Sequence, residues 1–166
     1  MGWPHYIGVK DSSSHGIGGI IMGEGKACIP TLFRIACPED IKELFHKGDI
    51  TNSDLEMAGL LMIWLVIEEV FPKLRAAHVA LFSDNLPTIG WEKCLAARGS
   101  LVAMQLVRAL TLRLKKAGAS PLTSFHISGE ENFMTDIPSR SFGSNISWFC
   151  KNDTDLRKHF NKNFPL

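Results

Sequence analysis

Four carboxylates in this chain stand where the local sequence pattern changes, and together they have the makings of a cation site. Asp11 ends the apolar stretch Tyr6-Ile7-Gly8-Val9-Lys10, Glu56 opens a long apolar run, Asp84 follows the compact stretch 78–83, and Asp136 lies in a polar segment beyond Phe125-His126-Ile127. The ends of elements are places from which side chains project into a shared cleft at one edge of a sheet. Carboxylates gathered there repel one another and hold protons more tightly unless a cation neutralises them. Mg2+ is the natural counter-ion, because it prefers oxygen ligands in octahedral geometry and keeps part of its water shell for exchange with substrate phosphates. Two such ions about 4 Å apart activate a water on one side of a phosphodiester and stabilise the leaving oxygen on the other.

Each carboxylate also has a local explanation. Ser53 and Glu56 form the S-x-x-E pattern of a capping box, and from Asn52-Ser53-Asp54-Leu55-Glu56 alone that cap is the more economical reading of Glu56. Asp11 could begin the Ser-rich turn, Asp84 with Asn85 could cap a helix, and Asp136 could be a surface charge near Pro138. Their order along the chain shifts the balance towards a cluster.

The elements that would position them read as follows. Tyr6-Ile7-Gly8-Val9-Lys10, Ile17-Gly18-Gly19-Ile20-Ile21-Met22 and Thr31-Leu32-Phe33-Arg34-Ile35-Ala36 are strand patterns, joined by turns at 12–16 and 24–26 into an antiparallel meander. Residues 38–49 form a polar connection with a helical turn around 41–45. The run LEMAGLLMIWLVIEEVF from Leu55 is too long for a strand and too apolar for a helix with a solvated back, which predicts a largely buried helix closed by Pro72. Strand, long helix and strand 78–83 suggest a crossover, with that fourth strand parallel to its neighbour. A short helix over 86–97, a longer one over 101–117 and a fifth strand over 122–127 follow, and 152–164 has the pattern of one more amphipathic helix.

The 166 residues are 45% hydrophobic and 21% charged, which fits one globular domain with a substantial core. Lys+Arg at 18 against Asp+Glu at 17 leaves a net charge of +1, so a nucleic-acid partner would have to be held by a local patch. Cys28, Cys37, Cys94 and Cys150 show no metal-knuckle spacing, and reduced thiols in an intracellular protein, cytoplasmic or nuclear, are the expectation. No signal peptide or membrane span is read, and the abrupt end at Asn163-Phe164-Pro165-Leu166 suggests a piece of something longer.

At this point the chain resembles the ribonuclease H family, and most of all the ribonuclease H domains of retroelement reverse transcriptases. The stretch His126-Ile127-Ser128-Gly129-Glu130-Glu131-Asn132-Phe133-Met134-Thr135-Asp136-Ile137-Pro138-Ser139-Arg140 is similar to H-x-P-G-x-x-N-x-x-A-D-x-x-S-R, with Ser128 for the usual proline and Thr135 for the usual alanine. Asp11-Ser12-Ser13 resembles the family's D-A-S, Leu55-Glu56-Met57-Ala58 its L-E-x-x-A, and Ser83-Asp84-Asn85 its T-D-N. The resemblance implies an α/β ribonuclease H-like fold over 1–142, a five-stranded mixed sheet of three antiparallel and then parallel strands flanked by helices, with 143–166 as a C-terminal extension. It implies Asp11, Glu56, Asp84 and Asp136 as catalytic ligands of two Mg2+ ions, with Mn2+ able to substitute, and endonucleolytic cleavage of the RNA strand of an RNA–DNA hybrid to leave 5′-phosphates. The hybrid would be read by shape and 2′-hydroxyls. Ser12, Ser13 and Asn85 would contact the RNA backbone, and Lys93, Arg98 and Arg108 the phosphates of the DNA strand. A covalently linked reverse-transcriptase domain would be the partner of a domain that is monomeric when isolated.

Two departures stand out. Residues 129–132 are too few for the loop that carries a mobile histidine in many relatives, and His126, at a strand end, does not inherit that role. Pro138 falls two residues after Asp136 and must sit in a first helical turn or shorten the helix. The alternatives are a fold of this family without catalysis, serving as a connection or hybrid-binding module, and a binding domain without nucleic acid. A 3′–5′ exonuclease would show D-x-E where Ser12 and Ser13 follow Asp11. An integrase or transposase core would place its glutamate last.

Overall fold

The computed structural model describes residues 4–23, 30–71, 74–119, 122–132, 135 and 139–140. Strands β1 (Tyr6–Ser12), β2 (Gly16–Gly23) and β3 (Thr31–Ala36) are followed by helices α1 (Glu39–Lys47) and α2 (Asn52–Val70). Strand β4 (Val79–Ser83), helices α3 (Leu86–Cys94) and α4 (Leu101–Ala117) and strand β5 (Thr123–His126) complete them. The sheet runs β3-β2-β1-β4-β5. β1 pairs antiparallel with β2 and parallel with β4, β2 pairs antiparallel with β3, and β4 pairs parallel with β5. The expected five-stranded mixed sheet is therefore observed, with the meander on one side and the crossover strands on the other.

Period-two alternation divides the core. Ile7 and Val9 of β1, Ile20 and Met22 of β2 and Ala80 of β4 share a cluster on one face. Ile21, Val79 and Leu81 face the other way, against Met57, Leu60, Ile63, Trp64 and Ile67 of α2 and Ala103, Val107 and Leu110 of α4. Gly8 lies beneath α2, where an added Cβ would come within 2.6 Å of Ile63 Cδ1 and 2.7 Å of Leu81 Cδ2. The apolar density of α2 is explained by its contacts on β1, β2, α3 and α4. Each of its fully buried large side chains contributes about 1.5–3 kcal/mol of transfer free energy.

The start of α2 corrects the expected cap. Thr51 is the N-cap and Asp54 its partner in the capping box, Asp54 Oδ2 accepting the Thr51 N–H at 2.7 Å and Thr51 Oγ1 the Asp54 N–H at 3.3 Å. The pattern T-x-x-D, two residues ahead of S-x-x-E, satisfies the orphan donors, and Ser53 does not cap. Asp54 Oδ1 also accepts from the hydroxyl of Ser100, the N-cap of α4, so one carboxylate ties two helix starts together. Burial opposes the Asp54 charge, but hydrogen bonds from Ser100, Thr51 and the Ala103 N–H outweigh it and hold the group below the ordinary aspartate value of 3.8. An acid held lower in the folded state stabilises the fold above its unfolded value and loses that contribution as pH falls through the folded one. Asp54→Ala is expected to cost about 1–2 kcal/mol at neutral pH, a difference from wild type that shrinks in acid denaturation curves.

Other boundaries shift modestly. The turn expected at 41–45 is a full helix, α1, with Glu39 and Asp40 in its first turn, His46 and Lys47 in its last, and Gly48 in the left-handed conformation behind it. α3 stops at Cys94, with Leu95 at a φ of 50°, short of the expected Ala97. α4 has the expected bounds. The turn at 24–26, Pro72, the helix expected over 152–164 and the 142/143 boundary lie outside the described residues. Cys37 and Cys94 are free thiols. Among the described residues no helix is long and apolar enough to cross a membrane.

Glu92 is an oddity of the core. It faces β5 from α3, 4% exposed, beside the Ser124 hydroxyl, and among the described residues its Oε2 has no hydrogen bond of good geometry. Burial pushes the Glu92 carboxyl above the ordinary value of 4.5, with Ser124 and the Lys93 charge pulling weakly the other way. Charging it therefore costs stability as pH rises above that value. Glu92→Gln is expected to raise the melting temperature at neutral pH, with the gain vanishing in acid.

Candidate active site

β1 and β4 run parallel, and Val9 is in register with Phe82. Two residues further along from each stand Asp11, in β1, and Asp84, just past the end of β4, so their side chains leave the same sheet edge side by side. Asp11 is 4% exposed, and its Oδ2 accepts the Ser139 hydroxyl at 2.5 Å. Asp84 accepts no hydrogen bond among the described residues. Behind it, Ser83 Oγ accepts the Asn85 N–H at 3.2 Å, and Asn85 Oδ1 caps α3 through the Thr88 N–H at 3.0 Å.

Glu56 arrives from the helix side, in the second turn of α2. Its Oε1 accepts the Ser12 N–H at 3.1 Å, and its Oε2 is held by the ammonium of Lys10. One ligand oxygen from each of Asp11, Glu56 and Asp84 lies within 4.8 Å of the others. With its capping function taken by Asp54, Glu56 belongs to this cluster. Asp136 lies outside the described residues, as does Pro138. Parts of its segment are tied to β1 and the turn after it: Asn132 Nδ2 donates to the Lys10 carbonyl at 3.2 Å, and Ser13 Oγ donates to the Ser139 carbonyl at 2.9 Å.

The three carboxylates floor a cleft of about 370 Å3, flanked by the loop Ser12-Ser13-Ser14-His15 and by Phe45, Asn52, Asn85 and Arg140. All-oxygen donors, one of them without a hydrogen-bond donor among the described residues, in an opening that leaves room for water and phosphate, suit a hard divalent cation. Like charges this close are costly without one.

No protein-family model matches the sequence, and no curated protein does. Solved structures do. Ribonuclease H1 from the archaeon Halobacterium salinarum superposes with a TM-score of 0.55 at 11% identity, over 81% of this chain and 92% of that one. LC11-RNase H1 in complex with an RNA/DNA hybrid, a protein isolated from compost by a metagenomic approach, gives 0.58 at 16% identity, over 80% and 92%. The protease–reverse transcriptase of prototype foamy virus gives 0.51 at 11% identity, over 87% of this chain but 22% of that one. The fold is ribonuclease H-like.

On this ribonuclease H-like scaffold the expected substrate residues separate. Ser13 and Asn85 line the cleft. Ser12 also borders it but is 4% exposed and is spent largely on Glu56 through its N–H. Lys93, Arg98 and Arg108 are exposed and do not line the cleft. Arg108 instead borders an apolar groove between α4 and the segment 95–97 that follows α3, with Leu95, Met104 and Leu112. His126 sits in β5, in register with Ser83, and is exposed. His15, Phe45 and Arg140 line the cleft without having been singled out. Arg140 closed the motif that carried the resemblance, and a basic residue four positions beyond a candidate ligand was the signal available for it.

Proposed function

We propose that this chain is a divalent-metal-dependent endonuclease that hydrolyses the RNA strand of RNA–DNA hybrids. The observation that carries the reading is the convergence of Asp11, Glu56 and Asp84 at one sheet edge on a ribonuclease H-like fold. Asp136 is the fourth ligand of a pair of Mg2+ ions, which when bound supply an activated water and charge stabilisation of the departing oxygen. The protein's part is positional. Ser139 orients Asp11, Ser12 N–H and Lys10 orient Glu56, and the end of β4 presents Asp84. Ser13 and Asn85 lie where RNA-strand contacts are needed, and Arg140 offers a phosphate partner at the cleft wall. Lys93, Arg98 and Arg108 would meet the DNA strand beyond the cleft.

The setting we propose is the ribonuclease H portion of a retroelement reverse-transcriptase polyprotein. The motif around Asp136 supports it, as does the match to part of a viral protease–reverse transcriptase. Incubation with hybrid, duplex RNA and duplex DNA, each labelled on one strand, tests the substrate class. Cleavage confined to the RNA strand of the hybrid is expected, and equal cleavage of duplex DNA would overturn it. Hybrid binding without cleavage under any divalent ion would favour the connection-module reading.

A further inference from the structure

Lys10 precedes Asp11, and strand alternation turns its side chain to the other face of β1, beneath α2. There it is 0% exposed. Lysine is almost never fully buried unless paired, and this one donates to both the Glu56 carbonyl, at 2.9 Å, and Glu56 Oε2. Space has been made for it. Gly59, one turn beyond Glu56 on the same face of α2, leaves room where an added Cβ would stand 3.1 Å from Lys10 Cδ. An apolar side chain would fill the same volume without the desolvation penalty of a charge. What the lysine supplies and an apolar side chain cannot is a positive charge against one member of a three-carboxylate cluster.

We propose that Lys10 is a resident cation of the site, a positioning residue that holds Glu56 in its ligating position when no divalent ion is bound. The inference rests on the cluster being a metal site, as the functional reading above has it. Lys10 offsets part of the negative charge, so the carboxylates stay assembled without metal. The same charge opposes an incoming cation, so metal enters a preformed site at reduced affinity.

The test is the melting temperature of the full chain in chelator and across a Mn2+ titration, for wild type, Lys10→Met, and Lys10→Met combined with Glu56→Gln. Wild type is expected to shift little with Mn2+. Lys10→Met should melt well below wild type in chelator, regain most of the difference in Mn2+, and begin its rise at about tenfold lower Mn2+ than wild type. The double variant should lose that metal-dependent recovery. If Lys10→Met does not fold in chelator, recovery of native tryptophan fluorescence on adding Mn2+ supports the proposal, and no recovery overturns it. A Mn2+ shift equal in wild type and Lys10→Met would also overturn it while leaving the metal-site reading standing. Absence of any Mn2+ response in all three proteins would remove both.

Discussion

Asp84→Asn is expected to reduce hybrid cleavage by roughly a thousandfold, about 4 kcal/mol of transition-state stabilisation, while leaving the melting temperature in chelator unchanged or slightly raised. The substitution keeps the shape of the side chain and removes one negative charge from a cluster in which Asp84 accepts no hydrogen bond among the described residues. Nothing in the described fold depends on that carboxylate, so loss of activity cannot be charged to unfolding. In a cluster of like charges, neutralising one member relieves repulsion. Asp11→Asn would be a poorer probe, because it also disturbs the hydrogen bond from Ser139. The decisive comparison is single-turnover cleavage together with thermal melts of the same preparations. A variant that cleaves within a few-fold of wild type would remove Asp84 from the catalytic set.

Gly59→Val is expected to destabilise the fold by up to about 3 kcal/mol and to suppress cleavage in the fraction that stays folded. Helix propensity alone argues the other way, since glycine is a poor residue for a helix interior. Packing decides the sign: a Cβ at Gly59 would fall 2.2 Å from Ser12 Oγ, 3.1 Å from Lys10 Cδ and 3.6 Å from Ile17 Cγ2. Ser12 and Lys10 both hold Glu56, so pushing α2 away from β1 loosens the ligand as well as the core. Denaturant unfolding and cleavage at saturating metal read the two effects separately. A variant as stable as wild type would show that α2 does not press on β1 at this point.

Much of this was legible because pattern and architecture agree. The unbroken apolar density of α2 announced a helix covered on most sides, and it is packed between the sheet and two other helices. Short turns between three strand patterns gave the antiparallel meander, and the long helix between strands gave the parallel crossover. The cap was misread because two overlapping patterns, T-x-x-D and S-x-x-E, both satisfy the local rule. The choice between them was made by Ser100, which meets Asp54 from 46 residues away. The extent of α1 was underestimated although its charge order and Gly48 were in view, because the helix buries none of its residues and so carries no core signal. Lys10 carries no signal in the sequence beyond its place at a strand end, and only the approach of Glu56 from another element accounts for its burial. The basic residues Lys93, Arg98 and Arg108 were chosen by charge alone, which fixes neither distance nor direction to the cleft.

The central claim is tested most directly by incubating the purified wild-type chain with a hybrid labelled on its RNA strand, in Mg2+ and in chelator, and identifying the new ends. The account predicts internal cuts in RNA only, with 5′-phosphate and 3′-hydroxyl ends, abolished by chelator and restored by added metal. Cleavage that persists in chelator, or that leaves 2′,3′-cyclic phosphates, would mean that the 2′-hydroxyl and not a carboxylate-held ion drives the reaction, and would contradict it.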